Sequence, residues 1–167
     1  MKFLKHDSSI FKMSAGLMAK IGYFILALGV GLPVVNQFVV LLCMAIFIVE
    51  KKSYFVQINA LQTAFVAMLV ELLRSLGILA VSLAWQTFSL PDSVVQVLLY
   101  IVVYGLVLVQ VVIAVVGVLY TARWRLIKFP LAGQLADWIL SRWKTGVSKE
   151  EFLDPSAGDG VGLRRKM

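Results

Sequence analysis

From Val94 to Tyr120 the chain carries no charged residue. A helix needs about 20 apolar residues to cross a hydrocarbon core of about 30 Å, so this run can span a bilayer unaided. Two apolar stretches precede it, from about Leu17 to Val49 and from about Tyr54 to Trp85. Glu50-Lys51-Lys52-Ser53 separates the first two. A turn from Gln86 to Asp92 separates the second and third. Pro91 restricts the backbone there, and Asp92 or Ser93 offers a helix cap. The 167 residues are 60% hydrophobic and 15% charged, whereas soluble domains lie nearer half apolar and a quarter charged. These features predict an all-α integral membrane protein.

Charge arranges the segments. The net charge of +7 does not point to nucleic acid, because the positive residues sit at the ends of apolar stretches. That is the pattern of the positive-inside rule and of attraction to anionic lipid. The expected partner is therefore the bilayer, with anionic lipids at its basic side. Lys51 and Lys52 must share a side with Arg123, Arg125 and Lys128, because two passes separate them. The basic N-terminal lead, residues 1–14 with Lys2, Lys5 and Lys12, should join them. An even number of passes must then precede Lys51. The first stretch accordingly splits near Gly31-Leu32-Pro33 into two short, tilted helices, about 15–31 and 35–50, which form a hairpin.

The expected architecture is four transmembrane helices within 15–124, with both termini cytoplasmic. The apolar run continues well beyond the core of a signal peptide, so no cleavage is expected. The first turns of the second long stretch, Tyr54 to Gln62, are expected to lie at headgroup depth. After Pro130, Leu131, Leu135, Trp138, Ile139 and Trp143 share one helical face. Residues 125–144 therefore read as an interfacial amphipathic helix anchored by Trp138, Arg142 and Trp143. The Gly-rich, charged tail 145–167 reads as mobile.

The segment Phe65–Val81 contains Glu71 and Arg74 in an otherwise apolar context. An ionisable residue near the bilayer centre costs about 2.5–3.5 kcal/mol on insertion scales. Three residues apart, the two share a helix face. If the last two long helices form a hairpin turning near Ser89, facing positions sum to about 178. Glu71 then comes level with Val107 and Arg74 with Tyr104, while Gln110 lies a turn away. Glu71, Arg74, Tyr104 and Gln110 are expected to form a polar cluster at mid-membrane. Such a cluster is either an interhelical clamp or a water-lined site for an ion, a proton or a polypeptide segment. Ala60/Ala64, Ala80/Ala84 and Ala114/Gly117 mark positions of close helix approach.

Catalytic chemistry has few residues to work with. Cys43 is the only cysteine and His6 the only histidine. No metal-ligand set, Gly-rich phosphate loop or Ser–His–acid arrangement can be assembled from them. No cofactor is expected, and the chain is not expected to be an enzyme.

Two local motifs remain, Val49 to Ala64 and Tyr120 to Gly133. The first, a short charged loop followed by Phe55-Val-Gln-Ile-Asn59-Ala60-Leu-Gln62-Thr-Ala64, resembles the entrance to the third helix in the Tic-twenty-like family. That family contains the inner-envelope channel subunit of the chloroplast protein-import translocon and small bacterial four-helix relatives. The second motif, an Ala, a basic-aromatic stretch and then Pro130-Leu-Ala-Gly133, is similar to the family's exit from the last helix. The resemblance covers about residues 15–140. It implies a four-helix fold with the N-terminus inside, with Phe55, Asn59, Ala60 and Gln62 at the entrance and Pro130 and Gly133 at the exit. Asn59 stands where the bacterial pattern often has His, which keeps hydrogen bonding and removes titration. Glu71 and Arg74 lie outside the pattern.

For function the resemblance implies membership alone, with plastid relatives contributing to a preprotein channel. Taken with the missing catalytic residues, the expectation is a small non-enzymatic membrane subunit in or beside a translocation or transport assembly, in a bacterial cytoplasmic membrane rather than a plastid inner membrane. It would have a membrane-protein partner or form homo-oligomers. The alternatives are an autonomous homo-oligomeric channel or small-solute carrier, or a scaffold that recruits a cytoplasmic partner through its tail.

Overall fold

The computed structural model describes residues 13–29, 33–50 and 53–142. The lead before Met13, Lys51 and Lys52, Trp143 and the tail 145–167 lie outside the described residues. Five helices follow one another: α1 (Ala15–Leu28), α2 (Pro33–Val49), α3 (Tyr54–Phe88), α4 (Asp92–Ala122) and α5 (Ala132–Arg142). No strand occurs among the described residues. At 35 and 31 residues, α3 and α4 are each long and apolar enough to cross a membrane. By contrast, α1 and α2 have 14 and 17 residues.

Local chemistry fixes the ends. Ser14 and Ser53 cap α1 and α3, their side chains accepting from Leu17 N and Val56 N, which satisfies backbone donors that a helix start leaves orphaned. Ser89 ends α3 in the left-handed region (φ 46°, ψ 47°), and Pro91 then sets the entry to α4. The expected side-chain cap at Asp92 or Ser93 does not form. Pro91 occupies the cap position and Asp92 is the first helical residue, where its charge favours the helix dipole. At the other end of α4, Arg125 N donates to Tyr120 O and Trp124 takes φ 54°. This is a Schellman-type stop with Trp124 in the place usually held by glycine. The left-handed conformation costs about 1–2 kcal/mol for a residue with a Cβ. The stack of Trp124 on Phe55, with ring centroids 5.6 Å apart, opposes that cost.

The α3–α4 hairpin has a definite register. A Cβ at Gly77 would press into Val102 and Phe55 meets Trp124, so facing positions sum to about 179. Around one half of this hairpin the rest of the chain assembles. Helix α1 runs antiparallel to α4, with Gly16 against Trp124, Tyr23 against Gly117 and Leu26 beside Gln110. Helix α2 packs along α3, and α5 closes over the start of α3.

The core therefore sits at the end near Phe55. Every residue from Phe55 to Ala64 is buried, because α1, α2, α4 and α5 surround this part of α3. This first part of α3 is therefore enclosed by protein, whatever its depth. Past Arg74 the pattern inverts: Leu76, Leu79, Leu83, Trp85 and Phe88 of α3, and Val97, Ile101 and Tyr104 of α4, are exposed.

Candidate functional site

Polar side chains run along the inside of the bundle in three groups. The first lies at the α2–α3 junction. Glu50 is fully buried, its Oε1 accepts from Ser53 N and its carbonyl accepts from the Gln57 amide. One turn further, the Tyr23 hydroxyl donates to Asn59 Oδ1 at 3.1 Å. Asn59 Nδ2 donates back to Phe55 O, and the Thr63 hydroxyl donates to Asn59 O. These bonds join α1 to α3 where Gly117 of α4 lies so close that a Cβ would overlap the Tyr23 ring.

The second group closes the far end of the short helices. Gln110 Nε2 donates to Asn36 Oδ1 at 2.9 Å and to Leu26 O at 2.8 Å. Leu26 O is one of the last carbonyls of α1, a group that no intrahelical donor reaches. One α4 side chain thus holds the end of α1 and the start of α2 together. Gln110 and Asn36 are both 1% exposed.

The third group is the ion pair. Arg74 Nη2 donates to both Glu71 carboxylate oxygens at 2.8 Å. The arginine side chain is 8% exposed and the glutamate 27%. Beside it, a groove of about 520 Å³ runs between α2 and α3. Asn36, Gln37, Glu71 and Ser75 are its polar lining, among Val40, Leu41, Met68 and Leu72.

The predicted four-residue cluster is therefore split. Glu71 and Arg74 pair as expected, and the hairpin register puts Tyr104 near their level. Tyr104, however, points outward, 62% exposed, and stacks on Tyr100. Gln110 turns to Asn36 and Leu26 instead of Glu71. Hairpin register fixes depth but not azimuth, and on a helix a residue at the right depth can face away. The small-residue expectation divides similarly. Ala60, Ala64, Ala114 and Gly117 are buried, whereas Ala80 is exposed and Gly77 makes the close approach in its stead.

The residues at the helix entrance and exit come together. Phe55, Asn59, Ala60 and Gln62 are buried on α3, and Trp124 of the second motif stacks on Phe55. Both Gln62 amide atoms are buried without a hydrogen-bond partner. Pro130 is exposed, and Gly133 lies so near the Lys128 backbone that a Cβ would sit about 3.1 Å from its Cα. Helix α5 turns its small residues, Ala132, Gly133 and Ala136, together with Leu140, inward. Leu131, Leu135 and Trp138 face outward, and the Arg142 guanidinium lies 4.6 Å from the Trp138 ring centre. Asp137 ties α5 down, pairing with Lys128 and accepting from the Tyr54 hydroxyl. Tyr23, Glu50 and Thr63 were not singled out in the sequence. A tyrosine or threonine in an apolar helix carries no signal until its partner's position is known.

Among the described residues no group of His, Cys, Asp or Glu could hold a metal ion. No known protein family, curated protein or solved structure matches the chain.

Proposed function

We propose that the chain is a small, non-enzymatic integral membrane subunit that acts in or beside a translocation or transport assembly. Helices α1–α4 lie in the bilayer as two hairpins, with both termini on the basic side. The location is a bacterial cytoplasmic membrane. Arg123, Arg125 and Arg142 are exposed at that end, suited to anionic headgroups. Helix α5 rests there with its small face on the protein and Leu131, Leu135 and Trp138 turned to the lipid interface.

The observation that carries the reading is the uneven cover of the α3–α4 hairpin. One half is wrapped by α1, α2 and α5, and the other presents large apolar side chains outward. A surface of that kind works through lateral contact with lipid and with other membrane helices. The likeness of the entrance and exit segments to Tic-twenty-like proteins supports the same reading, since those two segments pack on each other through Phe55 and Trp124. The test is purification from native membranes in a mild detergent. A stable stoichiometric complex with other membrane proteins is expected. Isolation as a lone species under conditions that preserve known assemblies would count against it.

One observation favours a second reading, a homo-oligomeric channel or small-solute carrier: the groove beside Glu71 brings polar groups to an otherwise apolar helix face. Homo-oligomers that conduct ions in liposomes would shift the assignment to it.

A further inference from the structure

The groove between α2 and α3 changes character along its length. The α3–α4 register puts Gln110 level with position 69 of α3, and Asn36, bonded to Gln110, sits at that height. Val40 and Leu41 lie a turn nearer the Phe55 end, while Ser75 lies a turn beyond Glu71. The groove thus follows α3 for about 15 Å. Val40, Leu41 and Ala67 line it toward one end, Glu71 and Ser75 toward the other. Four of its lining residues are polar, and one of these, Asn36, is committed to Gln110.

The other three have hydrogen-bonding capacity to spare. Arg74 Nη2 takes one bond to each Glu71 oxygen, yet the glutamate side chain keeps 27% of its surface open against 8% for the arginine. The open edge of the pair is therefore the acceptor. Gln37 and Ser75 are exposed and make no side-chain hydrogen bond among the described residues. Thr63 and Ser82 of the same helix return their hydroxyls to the carbonyls four residues back, a bond that Ser75 does not make.

These features select an occupant. A transmembrane helix, about 10–12 Å across, would bridge the groove rather than fill it. Its volume of about 520 Å³ falls within the range of about 300–1,000 Å³ usual for small-molecule sites, which are mostly apolar with a few placed polar groups. The head of the ligand must donate to a carboxylate. An anionic head would meet Glu71 as a like charge. A cationic head would shed its water for little return, because Arg74 already neutralises Glu71.

We propose that the groove binds a lipophilic alcohol. Its apolar body lies along Val40, Leu41 and Met68, and its hydroxyl donates to Glu71 and accepts from Ser75 or Gln37. The site goes beyond the subunit reading and rests on it only for the route of entry, laterally from the bilayer past the exposed Leu41 and Leu72.

Photo-crosslinking tests it. Hexadecanol carrying a diazirine in its chain is irradiated with the purified full chain in nonionic detergent, and the adducts are mapped by mass spectrometry. Saturable labelling around Val40 and Leu41 of α2 and around Ala67 and Met68 of α3 is expected. Hexadecanol should displace the probe at about one tenth of the concentration that hexadecane or hexadecylamine requires, the worth of one good hydrogen bond. Gln37→Leu/Ser75→Ala changes two exposed residues, so the fold should hold. It should raise hexadecanol's displacing concentration several-fold and leave that of hexadecane unchanged. Equal displacement by all three would reveal a bare apolar crevice and overturn the proposal. Preference for the amine would overturn it in favour of a cation. Cross-links from Leu72→benzoylphenylalanine to protein in native membranes, within a homo-oligomer or to another chain, would make the groove a seat for a helix and overturn it as well. Because alcohol binding is read in detergent, its failure leaves the membrane reading standing.

Discussion

Two buried polar features make opposite predictions at the scale of single residues. Gln62 is enclosed with neither amide atom paired, and an unsatisfied buried amide costs about 1–3 kcal/mol. Gln62→Leu, nearly the same size, should therefore raise stability by about 1 kcal/mol or more, read as resistance to denaturant in detergent. The ion pair behaves otherwise. Arg74 is the more enclosed member, so Glu71→Gln leaves a buried cation poorly matched and should cost about 3 kcal/mol. Removing both charges in Glu71→Leu/Arg74→Leu should cost much less, because replacing a buried pair with apolar groups is often neutral. A double-mutant cycle by chemical denaturation gives the coupling; a double variant as unstable as the single one would show that packing, not pairing, holds this site.

At the scale of elements, glycines discriminate packed from open helix faces. Gly117 lies under the Tyr23 ring, so Gly117→Ala must separate α1 from α4 or shift a fully buried tyrosine. An overpacked core loses about 1–3 kcal/mol. Gly105 sits on the same helix with nothing within 4 Å of an added Cβ. Gly105→Ala should be neutral or stabilising by about 0.5–1 kcal/mol, since alanine gains helix propensity there. Thermal denaturation in detergent compares the two. A Gly105→Ala loss equal to that of Gly117→Ala would show that the open face is covered in the folded protein. Helix order and number were legible in the sequence because apolar run length and polar breaks depend only on local composition. Ser53, Pro91 and Pro130 punctuated the chain where the helices change. What stayed hidden was rotation about each axis. The sequence placed Gln110 within a turn of Glu71, yet α4 directs it to Asn36 and Leu26. The sequence also could not show that α1, α2 and α5 all gather on one half of the hairpin. That choice follows from tertiary fits such as Tyr23 against Gly117 and Phe55 on Trp124.

At the scale of the whole molecule, the chain divides by cover and not by domain. One end is a five-helix knot of buried polar bonds and aromatic stacking. The other is a two-helix hairpin with apolar flanks, joined to the first at the level where Gln110, Asn36, Glu71 and Arg74 gather. So many large apolar side chains turned outward mark a surface that meets lipid or other protein. In the proposed membrane placement a bilayer accepts them, with the basic residues and α5 on one side and the Ser89–Ser93 turn on the other. The most direct measurement is sidedness in sealed, right-side-out vesicles, on a Cys43→Ala background. Ser93→Cys reports the hairpin tip, and Ser141→Cys, exposed at the end of α5, reports the basic end. The expected result is that an impermeant maleimide added outside labels Ser93→Cys alone, and that Ser141→Cys reacts only after the vesicles are opened. Labelling of both positions in sealed vesicles, or of neither until they are opened, would contradict a hairpin that crosses the membrane.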